Sequence, residues 1–235
     1  MKQKKMIKAM IPLYVLAAMI MLGIGWAGSR SVTVLSEAAP MENRVCVIID
    51  AGHGGEDGGA SSSSGTLESD LNLQIALRLE DLLHLLGYDT LMIRRTDISV
   101  YTSGQTLSQK KVSDLKERVR IINETENAVL ISIHQNYFPE SKYTGAQVFY
   151  AKTEGSSELA NALQKELVSS LNEGSSRKSK QASGIYLMEK IQCTGILVEC
   201  GFLSNPEEEA LLKNQEYQKK LCCVLGVSLS NYLDG

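Results

Sequence analysis

The chain has 235 residues, of which 43% are hydrophobic and 22% charged. That is enough for one full core plus an appendage. The net charge of −3 is unevenly placed: residues 1–44 hold six basic against two acidic side chains, a local +4, which leaves −7 for the rest and excludes the basic footprint of a nucleic-acid-binding domain.

Residues 9–28 contain no charged side chain and follow four lysines. As a helix this run would be about 30 Å long, matching the hydrocarbon core of a bilayer, and the lysines predict an N-terminus inside. Residues 1–28 are expected to be a membrane anchor, in preference to a cleaved signal segment with its shorter apolar region. Residues 29–43 read as a linker and 44–235 as the working domain, which in either case acts outside the cytoplasmic membrane.

Residues 45–49 are a β-branched apolar run that predicts a buried strand. Asp50 ends it, and a glycine-rich loop carrying His53 follows, extended by a Gly/Ser stretch to residue 65. The loop lacks the Gly-Lys-Ser/Thr of a phosphate-binding loop. Thr66 reads as a helix N-cap, with Glu68 in the first turn and leucines at helical spacing up to Gly87. A strand is expected over 88–94 and a polar loop over 96–107. A second helix is expected over 108–125, with Val112, Leu115, Val119 and Ile122 inward. Residues 128–133 predict a strand ending at His134. Further strands are expected over 145–150, 184–188 and 195–198, the last ending at Glu199. Helices are expected over 156–171, in a short piece from Pro206, and over 215–233. Residues 177–181 read as a basic, solvated turn, and His84 as a surface residue on the first helix. Strands alternating with helices predict an α/β fold, a mostly parallel sheet covered on both faces.

Five cysteines, odd in number and without a Cys-x-x-Cys pair, argue against a disulfide framework or a thiolate zinc site. They read as small buried hydrophobes. The polar strand ends are more informative. His53, His134 and Glu199 each follow a predicted strand, and Glu68 opens a helix. In a parallel sheet such positions share one edge. Two imidazoles and a carboxylate suit a catalytic zinc with a fourth position left for water, and a further carboxylate would serve as general base. Each residue also has a plainer explanation. His134 would suit a core position satisfied by the backbone, Glu68 a helix dipole, and Glu199 an ion pair with Arg118.

Four ordered blocks resemble the zinc-dependent N-acetylmuramoyl-L-alanine amidases. They are Val-Ile-Ile-Asp-Ala-Gly-His-Gly-Gly at 47–55, Leu-Glu-Ser-Asp-Leu-Asn-Leu at 67–73, Ile-Ser-Ile-His-Gln-Asn at 131–136, and Leu-Val-Glu-Cys-Gly-Phe-Leu-Ser-Asn-Pro-Glu-Glu-Glu at 197–209. The resemblance spans residues 45–235. It implies a three-layer αβα sandwich, a Zn²⁺ ion held by His53, Glu68 and His134, and Glu199 as the catalytic carboxylate. The implied reaction is hydrolysis of the amide between N-acetylmuramic acid and L-alanine in peptidoglycan, with Asp50 and Asn136 as supporting or substrate-contact residues. Gln135 and Tyr137 stand where the family has small residues and are expected to alter the substrate rim. A narrower resemblance, to the CwlD-type germination-specific spore-cortex amidases, rests on the hydrophobic N-terminus, the lone domain and the stretch 176–187. It implies action on spore cortex, muramic-δ-lactam formation and a deacetylase acting next. The alternatives are another zinc peptidoglycan hydrolase or deacetylase, and a non-catalytic, membrane-tethered peptidoglycan-binding module.

Overall fold

The computed structural model describes residues 44–235. The expected membrane anchor and linker lie outside the described residues. Among those described, no helix is long and apolar enough to cross a membrane.

Strand β1 (Cys46–Ala51) is the buried β-branched run, and β3 (Ala128–Asn136) and β6 (Thr194–Phe202) repeat the pattern. Together with β2 (Asp89–Met92), β4 (Gln147–Tyr150) and β5 (Lys180–Gln181), they form one sheet in the order β2-β1-β3-β6-β4-β5. The first four strands in that order are parallel. β4 runs antiparallel to β6 and carries β5 beside it. The sheet is mostly parallel, as expected.

Helices α1 (Glu68–Leu85), α3 (Ser156–Leu171), α5 (Pro206–Lys213) and α6 (Gln215–Asp234) bury leucines against one face. α2 (Leu107–Asn123) and α4 (Tyr186–Lys190) cover the other face with a smaller cluster. Within the strands, side chains alternate between faces. Val47, Ile49, Ile131, Ile133, Ile196 and Val198 enter the larger core, while Ile48, Leu130 and Leu197 enter the smaller one.

Several sequence expectations are corrected. The run 184–188 is not a strand. Gly184, at φ 73°, turns the chain, its N–H donates to the Glu189 carboxylate at 2.7 Å, and Leu187, Met188 and Ile191 pack at helical spacing. Short apolar runs do not distinguish strand from helix by periodicity. In α2, Val112 and Leu115 are exposed, and the buried positions are Ser113, Arg118 and Ile122. Leu115 instead lines a cleft. Thr66 does not cap α1. Leu67 holds that position without a side-chain bond, and the first-turn N–H groups of Glu68 and Ser69 donate to the loop carbonyls of Ala60 and Gly58. Strands β3 and β6 continue past His134 and Glu199 instead of ending there.

Candidate metal centre and active site

The site is built on a polar frame beneath the end of β1. Asp50 is buried, paired with Arg118 of α2, and accepts from Ser132 Oγ at 2.6 Å. Burial alone would raise its pKa, but Arg118 and the Ser132 hydroxyl hold it below the usual carboxylate value. Arg94, also buried, donates to the carbonyls of Ala51, Gly52, Ser69 and Thr96. Two guanidiniums thus satisfy backbone acceptors where the chain leaves the sheet.

His53 follows with φ 62°, a left-handed conformation unusual for a non-glycine residue and typical of functional sites. Arg118 Nη2 donates to its carbonyl at 2.8 Å. The loop beyond is anchored at both ends. Gly55 N–H donates to Asp97 at 2.8 Å, and the hydroxyls of Ser62, Ser64 and Thr66 all donate to Glu209 Oε1 from α5.

Three side chains converge at this edge. His53 Nε2 lies 3.3 Å from Glu68 Oε2, and His134 Nδ1 lies 2.9 Å from Glu68 Oε1. The ring centroids of the two histidines are 5.1 Å apart. One ligand atom from each of His53, Glu68 and His134 falls within a set spanning 4.8 Å, so one divalent cation could bind all three. Glycines make the approach possible. A Cβ at Gly52 would overlap the His134 imidazole, and one at Gly59 would overlap Glu68 and His53. Burial works against charge on the His53 ring, but hydrogen bonds to Asp57 and Glu68 raise its pKa to about 9. Glu68 is held below its usual value, because bonds from His134 and His53 outweigh its burial. Two imidazoles and a carboxylate are the donor set of a cation site.

Glu199 is the register partner of His134 on β6 and lies on the same face of the sheet. Its Oε2 is buried with no hydrogen-bond partner among the described residues. Burial raises its pKa to about 7, the nearby imidazoles opposing and Glu68 adding to the effect. An unpartnered carboxylate poised near neutrality beside a candidate metal site has the properties of a general base. A cleft of about 340 Å³ opens here, lined by His53, His134, Lys111, Leu115, Ile185 and Tyr186 among others.

Known proteins of similar sequence and fold place the chain in a family. Residues 47–224 match the family described as N-acetylmuramoyl-L-alanine amidase. This chain belongs to that family. It is 38% identical over 195 residues to the germination-specific N-acetylmuramoyl-L-alanine amidase of Bacillus subtilis, covering 82% of this chain and 81% of the relative. It superposes on the CwlD amidase of Clostridioides difficile, solved in complex with the GerS lipoprotein, with a TM-score of 0.78 at 37% identity, covering 81% of this chain and 99% of that one. An N-acetylmuramoyl-L-alanine amidase from Clostridium difficile 630 gives 0.71 at 32% identity, covering 82% and 98%.

The amidase brings together all four residues singled out in the sequence. His84 stays apart on α1, bonded to Thr90 Oγ1 at 2.6 Å. Glu199 is not paired to Arg118, whose carboxylate partners are Asp50 and Asp114. Gln135 is buried behind the site, not on its rim. Its N–H donates to Glu68 Oε1 at 3.2 Å, and its side chain donates to Asn72, which donates to Gly52 O at 3.1 Å. Tyr137 is exposed after β3. Residues 177–181 are more than a solvated turn. Arg177 lies 4.9 Å over the Phe202 ring, and Lys180–Gln181 form β5. The cysteines are all free; Cys200 and Cys222 are buried, Cys223 is exposed, and burial pushes the Cys200 thiol well above its ordinary value. The residues that the sequence did not disclose are Asp57, Arg94 and Glu209. Their signals, an acid inside the glycine loop, an arginine closing a strand and an acid in a helix first turn, are too common to single out.

Proposed function

We propose that the amidase uses Zn²⁺ held by His53, Glu68 and His134 to hydrolyse the bond between the lactyl group of N-acetylmuramic acid and L-alanine in spore-cortex peptidoglycan. Zinc bound there would supply Lewis acidity and a water of lowered pKa, roughly 7 in well-studied zinc enzymes. Glu199 takes a proton from the attacking water through its unpartnered Oε2 and returns it to the leaving amine of L-alanine. His53 and His134 act as neutral ligands. Asp50, fixed by Arg118 and Ser132, supports the turn that presents His53. The cleft admits one arm of the substrate beside the histidines. The observation that carries this reading is the buried Glu199 oxygen without a partner next to a His-Glu-His donor set.

The cortex assignment rests on likeness to the Bacillus subtilis germination-specific enzyme. With it comes a place in muramic-δ-lactam formation, where removal of the stem peptide precedes a deacetylase. Residues 9–28 would tether the domain outside the cytoplasmic membrane, within reach of a lipoprotein partner such as the one in the CwlD complex. The test is mass spectrometry of purified cortex and of vegetative peptidoglycan after digestion. The expected products are peptides with a free N-terminal L-alanine and glycan strands bearing unsubstituted lactyl groups, from cortex above all. Release of acetate, or cleavage within the stem peptide, would replace this reading with a deacetylase or an endopeptidase.

A further inference from the structure

His53 meets a carboxylate on each side of its ring. Nε2 faces Glu68 at 3.3 Å, and Nδ1 lies 3.0 Å from Asp57 Oδ2. Asp57 is itself held twice at its other oxygen: Oδ1 accepts from Gly59 N–H at 3.2 Å and lies 2.7 Å from Lys111 Nζ of α2. A metal-bound imidazole is neutral, with a lone pair on one nitrogen and the proton on the other. A carboxylate at Nδ1 accepts that proton's hydrogen bond. It therefore selects the tautomer whose lone pair is at Nε2, the nitrogen facing Glu68.

We infer that Asp57 is a positioning residue for the zinc site, and that Lys111 keeps Asp57 in place. The inference rests on the zinc reading above.

The Asp57 side chain is not needed for the fold of its loop. Gly54 and Asp57 pair through their backbones, with Gly54 N–H donating to Asp57 O at 2.8 Å and Asp57 N–H to Gly54 O at 3.2 Å. Asp97 holds Gly55, and Glu209 holds the serine end. What the carboxylate adds is the orientation and basicity of one ring. Lys111 reaches this acid from the helix that also supplies Arg118 to the His53 carbonyl, so α2 grips His53 by its backbone and, through Asp57, by its imidazole. Loss of such outer partners typically lowers metal affinity by about 10–100-fold.

The test is a zinc titration of the metal-stripped, full-length protein against a chelating indicator, with Asp57→Ala, Asp57→Asn and Lys111→Met. Asp57→Ala is expected to weaken zinc binding by about 10–100-fold. Asp57→Asn should weaken it less, because the amide oxygen still accepts from Nδ1–H, and Lys111→Met should also weaken it less than the alanine variant. At a pH above about 9, where the His53 ring is neutral and its ion pair with Asp57 is gone, the melting temperature of the zinc-free protein should change little. Nitrogen-15 spectra of zinc-free protein, at a pH where the ring is neutral, should show His53 as the Nδ1–H tautomer in the wild type and shifted toward Nε2–H in Asp57→Ala. An Asp57→Ala affinity within about twofold of wild type would overturn the inference, as would a loss of zinc matched by a lowered zinc-free melting temperature at that pH. Failure of the wild type to take up zinc would overturn the zinc reading itself, whereas full uptake by wild type and Asp57→Ala alike removes only the role of Asp57.

Discussion

The two faces of the sheet are made by the same strands, yet they differ in kind. One face is apolar from Val47 to Ala51, from Val129 to Ile133 and from Ile196 to Cys200, and meets four helices. The other begins apolar at Ile48 and Leu130 and turns polar toward the strand ends, where Asp50, Ser132, His134 and Glu199 follow at the two-residue period. Among the described helices, α2 and the short α4 cover it, with loop residues such as Ile93 and Ala182. A thick apolar layer leaves no room for hydrated charge. The thinner layer leaves an open end, and the chemistry collects there. Glu199 and Cys200 make the contrast within two residues. The acid faces the cleft side, while the thiol is buried in the larger core.

The sharpest way to break the comparison is at Glu199. Glu199→Gln keeps the shape and removes the base. It is expected to retain zinc and lose about 10²–10⁴-fold in rate, whereas His53→Ala should lose the metal together with activity. Metal content per chain, measured beside turnover, separates the two roles. A Glu199→Gln protein that loses zinc as His53→Ala does would make Glu199 a ligand.

A smaller effect concerns what the polar face costs. Burial raises the Glu199 pKa from 4.5 to about 7. Between those values the folded state keeps a proton that the unfolded state has released, so stability falls as pH rises. Zinc-free Glu199→Gln should therefore match wild type below pH 4.5 and exceed it above pH 7, by on the order of 1–3 kcal/mol. Denaturant unfolding at pH 5 and pH 8 measures the difference; an equal gain at both would remove the titration of Glu199 as its cause. The smallest effect belongs to the apolar face. Cys200→Ser places a hydroxyl in the larger core and should cost about 1 kcal/mol, with turnover per zinc unchanged. A loss of turnover in a folded, zinc-loaded variant would mean that the two faces are not functionally separate.

The four candidate site residues were legible because strand ends and a helix start are marked by chemistry: apolar runs stop at Asp50, just before His53, and at His134 and Glu199, and Glu68 precedes a leucine-spaced helix. The larger core was legible for the same reason. The thin face was not. Val112 and Leu115 have core spacing, yet α2 lies partly over an open cleft, so burial there is decided by what α4 leaves uncovered. The run 184–188 was misread because five apolar and small residues fit either period. Arg94 and Glu209 act through partners distant in sequence, and Asp57, though only four residues from His53, is held by Lys111 of α2; no local pattern encodes a bond from Arg94 to Ala51 O or from Ser62 to Glu209.

The strand order also fixes when the site can exist. Glu68 and His134 meet across 66 residues, and His134 reaches Glu199 only through the pairing of β3 with β6. Parallel neighbours cannot close as a hairpin, so these contacts wait for long crossovers to form. A metal ion encountering the chain early finds single ligands and no triad. In contrast to small zinc modules whose ion drives folding, this domain must commit its hydrophobic layers first, and a cation held as proposed would join a scaffold already assembled. A nascent chain halted before β6 would carry three of the four groups and still have no complete centre.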